Sequence, residues 1–334
     1  EWRGEVARFP YADGSGRFRI TADARDVTLD YADGWPAITS IDGQLIFDGP
    51  GMTIRAPRAR IFDVELKDIE TRIPDLSEHQ HVLVDGKAQG ATSGFLRFIQ
   101  QSPVKESTQG FLDTLKAEGR GQLELKLDIP LDDTDLSKVG GNYRFAGNRL
   151  DFGGSIPVLN QTAGRVDFTE SALKIHEAAG RALGGTVRLS GASEKGAVKL
   201  ALSGDALLAE VAQRYGLPQP KRYNGGLGYQ GELIAQRDRY ELALQSSLAG
   251  ARIDLPQPLG KPANEARPLR VKASGDNARQ TIEFGYGRLL NGALAQQNGR
   301  PWAGAITVGA ASPAFSSISS GVGMCGGWAE IDLN

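Results

Sequence analysis

One cysteine, three histidines and two methionines are all that this 334-residue chain offers of the side chains most used for metal and redox work. With Cys325 alone, an intrachain disulfide and a thiolate metal cluster are both excluded. No run of 18 apolar residues occurs, so no segment reads as a membrane-spanning helix. Charge of either sign is not in excess. The 38 Lys and Arg against 40 Asp and Glu leave a net charge of −2, with the signs interspersed. A nucleic-acid surface needs a basic face to neutralise phosphates, so nucleic acid is not an expected partner. No secretory leader is visible in the sequence, which opens on Glu1-Trp2-Arg3, and Glu330 to Asn334 reads as the opening of a further strand. The expectation is a piece of a longer protein.

What the chain does have is glycine, 43 residues, placed between short apolar runs. It also repeats itself. Shifted by 121 residues, Leu29 meets Leu150, Asp30 meets Asp151, Pro36 meets Pro157 and Gly43 meets Gly164. Phe47 then meets Phe168, Ile54 meets Ile175 and Arg60 meets Arg181. A third, partial copy starts at Ala249-Gly250-Ala251-Arg252-Ile253-Asp254, matching Ala146-Gly147-Asn148-Arg149-Leu150-Asp151. Repetition of this kind means that one unit cannot bury its apolar face alone.

Within each copy the period is two. Gln122 to Pro130 alternates Leu123, Leu125, Leu127 and Ile129 with Gln122, Glu124, Lys126 and Asp128. Val198, Leu200 and Leu202 alternate likewise, as do Tyr240, Leu242 and Leu244. Successive strand residues point to opposite faces, so each run makes one apolar and one polar surface. The fold class is therefore mainly β, built of repeated antiparallel β-meander modules with a few short helices at their junctions. Three modules are expected: 1–148, with helices near 94–102 and 107–117; 149–251, with a helix near 206–215; and 252–334, truncated. Thr92 or Ser93, Ser107 or Thr108, and Asp205 are the expected helix N-caps. Two architectures satisfy the pattern: closed sandwiches, or one long sheet curling into an elongated groove.

Three phrases bear on that choice. They are Leu29-Asp30-Tyr31-Ala32-Asp33-Gly34-Trp35-Pro36, Phe95-Leu96-Arg97-Phe98-Ile99-Gln100-Gln101-Ser102-Pro103, and Ile253-Asp254-Leu255-Pro256-Gln257-Pro258-Leu259-Gly260-Lys261-Pro262. In these the chain resembles the AsmA-like family of Gram-negative envelope proteins. The resemblance implies a periplasmic β-rich protein, anchored in the inner membrane by an N-terminal helix that this chain lacks. It implies a bridge-like lipid-transfer role, with phospholipids as partners and cargo moving between inner and outer membranes along an apolar groove. No cofactor and no enzymatic activity go with it. The matching apolar positions of the first two copies become candidates for the groove floor: Leu45, Phe47, Met52 and Ile54, then Val166, Phe168, Leu173 and Ile175. Leu123, Leu125, Leu127 and Ile129 add a further strand. The alternative function is a structural envelope scaffold of closed β-sandwiches without lipid.

Other chemistry finds little to stand on. Gly226-Leu227-Gly228-Tyr229-Gln230-Gly231 spells the dinucleotide fingerprint, but a strand rather than a helix is expected after it. Glu78, His79 and His81 could approach a metal only with help from the distant His176, and a solvated strand is the simpler reading. Asp30, Asp151 and Asp254 recur at one module position, as strand ends would. No Gly-x-Ser-x-Gly elbow occurs. Trp35 and Trp302 are expected in the core, and Cys325 as an inert thiol.

Overall fold

In a computed structural model the described residues are 1–11, 14–77, 80–108, 112–194, 196–236, 239–276, 278–298, 300–309, 323–325 and 328–333. Their structure is mainly β, in antiparallel strands that stay open rather than closing into a barrel. The chain divides into two compact units. One comprises Glu1–Thr108, Lys116–Leu150 and Ala163–His176; the other comprises Gln109–Leu115, Asp151–Thr162 and Glu177–Asn334.

In the first unit the strands are β1 (Trp2–Arg3), β2 (Arg17–Leu29), β3 (Ile38–Asp48), β4 (Gly51–Ile61), β5 (Val64–Ile73) and β6 (His81–Ala91). Helix α1 (Thr92–Gln100) follows β6 without a loop, and a short α2 (Val104–Ser107) comes next. Then come β7 (Lys116–Pro130) and β8 (Lys138–Asp151). Each strand from β1 to β7 pairs antiparallel with the next, in one uninterrupted meander. Asn142 of β8 reaches β7, its Nδ2 donating to Glu124 Oε2 at 2.8 Å. Strands β9 (Leu159–Thr169) and β10 (Leu173–Ala182) follow, and their hairpin tip is closed by the Thr169 N–H donating to the Ala172 carbonyl at 2.8 Å.

The second unit continues with β11 (Gly185–Glu194), β12 (Ala197–Leu207), α3 (Leu208–Arg214), β13 (Tyr223–Gln236), β14 (Arg239–Ser246) and β15 (Ala251–Ile253). Then come β16 (Leu269–Gly275), β17 (Arg279–Tyr286), β18 (Leu290–Gln297), β19 (Trp302–Val308), β20 (Gly323–Cys325) and β21 (Trp328–Leu333). Strand β13 pairs with both β14 and β15, which act as one strand interrupted at 247–250. The core of this unit packs Leu208 and Ala212 of α3 against Tyr223, Leu227, Leu248, Ala251, Ile253 and Tyr286. Arg267 fastens the 254–268 segment: its Nη1 donates to the carbonyls of Pro258 and Gly260 and to the Tyr286 hydroxyl, at 3.0–3.1 Å.

The sequence repeat is a repeat of backbone conformation. Strands β3 and β9 begin 121 residues apart, at Ile38 and Leu159, and so do β5 and β11, at Val64 and Gly185. The left-handed residues recur in step: Asp26 with Gly147, Ser40 with Gln161, and Phe62 with Leu183. Non-glycine residues rarely adopt that region, so three matched positions at one spacing mark the same turns and bulges in both copies. Leu29 ends β2, Asp151 ends β8 and Asp254 follows β15, which makes the recurrent aspartates strand-end residues.

The helices differ from expectation in detail. Ala91 is the N-cap of α1 and Leu207 that of α3, and neither makes a side-chain cap bond. Thr92 and Asp205 are spent on tertiary bonds instead, Thr92 to Asn148 and Asp205 to Thr186. Among the described residues of the helix expected at 107–117, only Ser107 is helical. Its helical turn is Val104–Ser107, residues 112–115 lie in turns and loop, and β7 already begins at Lys116. Pairing of Arg120 with Ala91 and Gly121 with Gly90 holds the start of β7 in the sheet. Phe111, part of that expected stripe, lies outside the described residues.

Candidate functional site

The ladder of the first unit sorts its side chains by face. Phe47 pairs with Met52, which pairs with Ile73. Leu45 pairs with Ile54, Ile54 with Thr71, Thr71 with Val84, and Val84 with Leu127. Ala56 pairs with Ile69, and Gly86 with Leu125. Ala59 meets Leu66, Leu66 meets Ala88, and Ala88 meets Leu123. Directly paired residues share a face, so these rows form one surface that is apolar except at Thr71.

The rows between them are polar. Gln44 donates to Asp23 at 3.0 Å, Arg55 meets Glu70 at 3.1 Å, and Lys126 meets Asp85 at 3.3 Å. Ile46 is an apolar residue on that polar side, buried between Thr21 and Thr53. Asp167 accepts from Arg165 at 2.7 Å and lies 2.5 Å from His176 Nε2, so these three side chains share a face of the β9–β10 hairpin. Arg165 first, then His176, hold the Asp167 carboxyl below its ordinary value. A hydrogen bond from Gln89 does the same for Glu65, and one from Asn142 for Glu124.

By alternation Val166 and Phe168 point away from Asp167, and Ile175 away from His176, with Leu173 on its side. The Phe168 ring lies across Gly141, its Cζ 2.5 Å from where a Cβ would stand. Asn142, the next residue, points to Glu124 on the polar side, so Phe168 joins the side of Leu123 and Leu125. All twelve residues singled out from the sequence thus lie in one unit and on one face. Every one of them is half-buried.

Burial along that face is graded. Helix α1 covers one end, where Ala56, Ala59, Val64, Ala88 and Leu96 are buried. Its Arg97 stacks on the Phe62 ring at 3.9 Å, and Phe95 meets Tyr143 edge-on at 5.1 Å. Asn148, fully buried, donates to Thr92 Oγ1 at 2.6 Å and accepts the Arg120 N–H at 3.2 Å. That network, linking residues 56 apart in sequence, pins α1 to β7 and β8. Away from α1 the side chains remain half-buried.

The other candidates are accounted for. Gly226–Gly231 lies inside β13, a strand throughout, so no helix N-terminus is available for a pyrophosphate. Glu78 and His79 lie outside the described residues, as does the side chain of Cys325. His81 pairs with Asp128 at 2.7 Å, and no cluster of metal-ligating side chains occurs among the described residues. Trp35 and Trp302 are half-buried rather than core. Trp35 sits between Tyr31 and Phe98, with ring centroids at 6.0 and 5.9 Å and planes tilted by 46° and 50°.

A family model described as YhdP protein matches residues 1–321. The Intermembrane phospholipid transporter YhdP of Escherichia coli (strain K12) is 24% identical over 284 residues, which are 82% of this chain and 22% of that protein. The chain therefore spans less than a quarter of that relative's length. No solved structure matches it.

Proposed function

The chain belongs to the YhdP family, and on that premise we propose that it binds phospholipid acyl chains along the apolar sheet face. It does so as one segment of a periplasmic, inner-membrane-anchored protein that supports phospholipid passage between inner and outer membranes. Leu45, Phe47, Met52, Ile54, Leu123, Leu125, Leu127, Ile129, Val166, Phe168, Leu173 and Ile175 line the floor. The observation that carries this reading is their common face and common half-burial, opposite a face laced with ion pairs.

A floor of this kind asks the cargo for no hydrogen bonds, and each methylene taken from water contributes about 0.8 kcal/mol. The phosphate head stays in water, where its charge costs nothing to keep. Repetition serves length, since each copy adds strands to a floor that one copy could not complete. A closed sandwich would require a second sheet over the same residues, whereas β1 to β7 form one ladder. The chain is read as a binding segment and not as an enzyme, in keeping with a relative named for transport.

The test is site-specific photocrosslinking on two adjacent residues. A photoreactive amino acid at Leu125 should capture phospholipid from labelled liposomes, and the same residue at Lys126, on the polar side, should not. Equal capture at both positions, or none at Leu125, would count against the reading.

A further inference from the structure

The two ends of the apolar face are built differently. At one end α1 seals it, with Thr92, Tyr143 and Asn148 locked together and Phe98 reaching Trp35. Among the described residues no α-helix lies on the other end. There the strand ends carry aromatic side chains that the repeat does not include. Ile20 pairs with Phe47 and Ala22 with Leu45, so Phe18, Ile20 and Ala22 stand on the apolar face. Trp2 pairs with Phe18 and meets its ring edge-on at 5.9 Å. Phe9 meets the Phe18 ring at 5.0 Å, and Trp2 Nε1 donates to the Tyr11 hydroxyl at 2.6 Å.

Tyr11 is buried and Phe18 half-buried beneath two rings that reach solvent. Trp2 is 55% exposed and Phe9 50%, and Leu131 and Leu136, just beyond β7 at the same end, are 46% and 65% exposed. Exposed tryptophan and phenylalanine rings of this kind suit the boundary between hydrocarbon and headgroup, and the buried Tyr11 hydroxyl holds the Trp2 ring in place. The distance between the two ends also fits a lipid. Leu123 to Ile129 is six steps along the strand, about 20 Å at ~3.3 Å per step. One leaflet's share of a bilayer core is about 15 Å.

Resting on the reading of the apolar face as a lipid floor, we propose an orientation for its occupant. Phospholipid acyl chains lie parallel to the strands, with their methyl ends against α1. The glycerophosphate head lies over the rim formed by Trp2, Phe9 and Phe18, with Tyr11 buried beneath them. That rim is the side from which lipid enters and leaves this unit, and α1 is the stop.

The experiment uses the full chain, purified without detergent and loaded from phosphatidylethanolamine–phosphatidylglycerol vesicles. The vesicles carry one of two photoreactive phospholipids, with the diazirine either at the acyl terminus or on the headgroup, and adducts are mapped by peptide mass spectrometry. Headgroup adducts should be several-fold enriched on residues 2–11, 14–18 and 131–138. Acyl-terminal adducts should be enriched on Ala59, Ala88, Leu123 and α1. Even spreading of both probes, or the reverse assignment, would overturn the orientation while leaving the lipid floor standing. Absence of light-dependent adducts from either probe would remove both.

Discussion

Replacing Leu125 with glutamate separates an open floor from a closed core. Leu125 is half-buried on β7, opposite Gly86 of β6, and Gly141 of β8 approaches the same strand at Glu124. Its neighbours on that face are Ile69, beside Gly86, and the Phe168 ring, which lies across Gly141, and with both in place Leu125 is still only half-buried. Full burial of a leucine is worth about 1.5–3 kcal/mol, so half-burial puts the lost transfer energy near 1 kcal/mol. A carboxylate that still reaches water adds little more, and the variant should remain folded with a stability loss of about 1–2 kcal/mol. The effect on cargo is larger. If three or four methylenes lose their apolar contact at ~0.8 kcal/mol each, phospholipid affinity falls by about a hundredfold. Circular dichroism and urea unfolding report the fold, and uptake of a fluorescent phospholipid from vesicles reports the affinity. An unfolded variant would refute the reasoning, because only a closed core turns that carboxylate into an unpaired buried charge.

Other changes probe the parts of the same face. Lys126→Ala, on the polar side, breaks an exposed pair with Asp85 and should cost at most about 1 kcal/mol in urea unfolding, with lipid uptake unchanged. Gly141→Ala pushes a methyl group into the Phe168 ring and should destabilise by about 1–3 kcal/mol, read from the unfolding midpoint. Asn148→Ala leaves the Arg120 N–H without its side-chain acceptor and strips Thr92 of a donor, an expected loss of about 1–3 kcal/mol. Hydrogen bonds hold Asp167, Glu65 and Glu124 below their ordinary carboxyl values of 3.8 for Asp and 4.5 for Glu. The unfolded chain then binds more protons on acidification, so stability is full above that range and is lost as pH falls through the lower folded values. Urea midpoints measured from pH 7 to pH 3 should show this decline, and Asp167→Asn should flatten it.

The meander and its amphipathic strands were legible because one period and one face suffice to write them. Leu123 to Ile129 alternates without exception, and the structure puts those leucines opposite Ala88, Gly86 and Val84. The 121-residue spacing was legible for the same reason, through residues such as Pro36 and Pro157 at matched turns. Helix ends were not. A threonine before an apolar run reads as a cap, but Thr92 is taken by Asn148, a partner no local window contains. The aromatic rim was missed because it depends on a two-residue pairing of β1 with β2, whose partners Arg3 and Arg17 are 14 residues apart in sequence. The half-burial of the apolar face was also hidden. Alternation looks the same under a second sheet as it does under a lipid.

The most direct measurement is native mass spectrometry, with lipid extraction, on the chain purified without detergent. The account predicts co-purifying phospholipid, released on denaturation and reduced in the Leu125→Glu variant. A clean unliganded mass, together with no uptake from labelled liposomes, would contradict it.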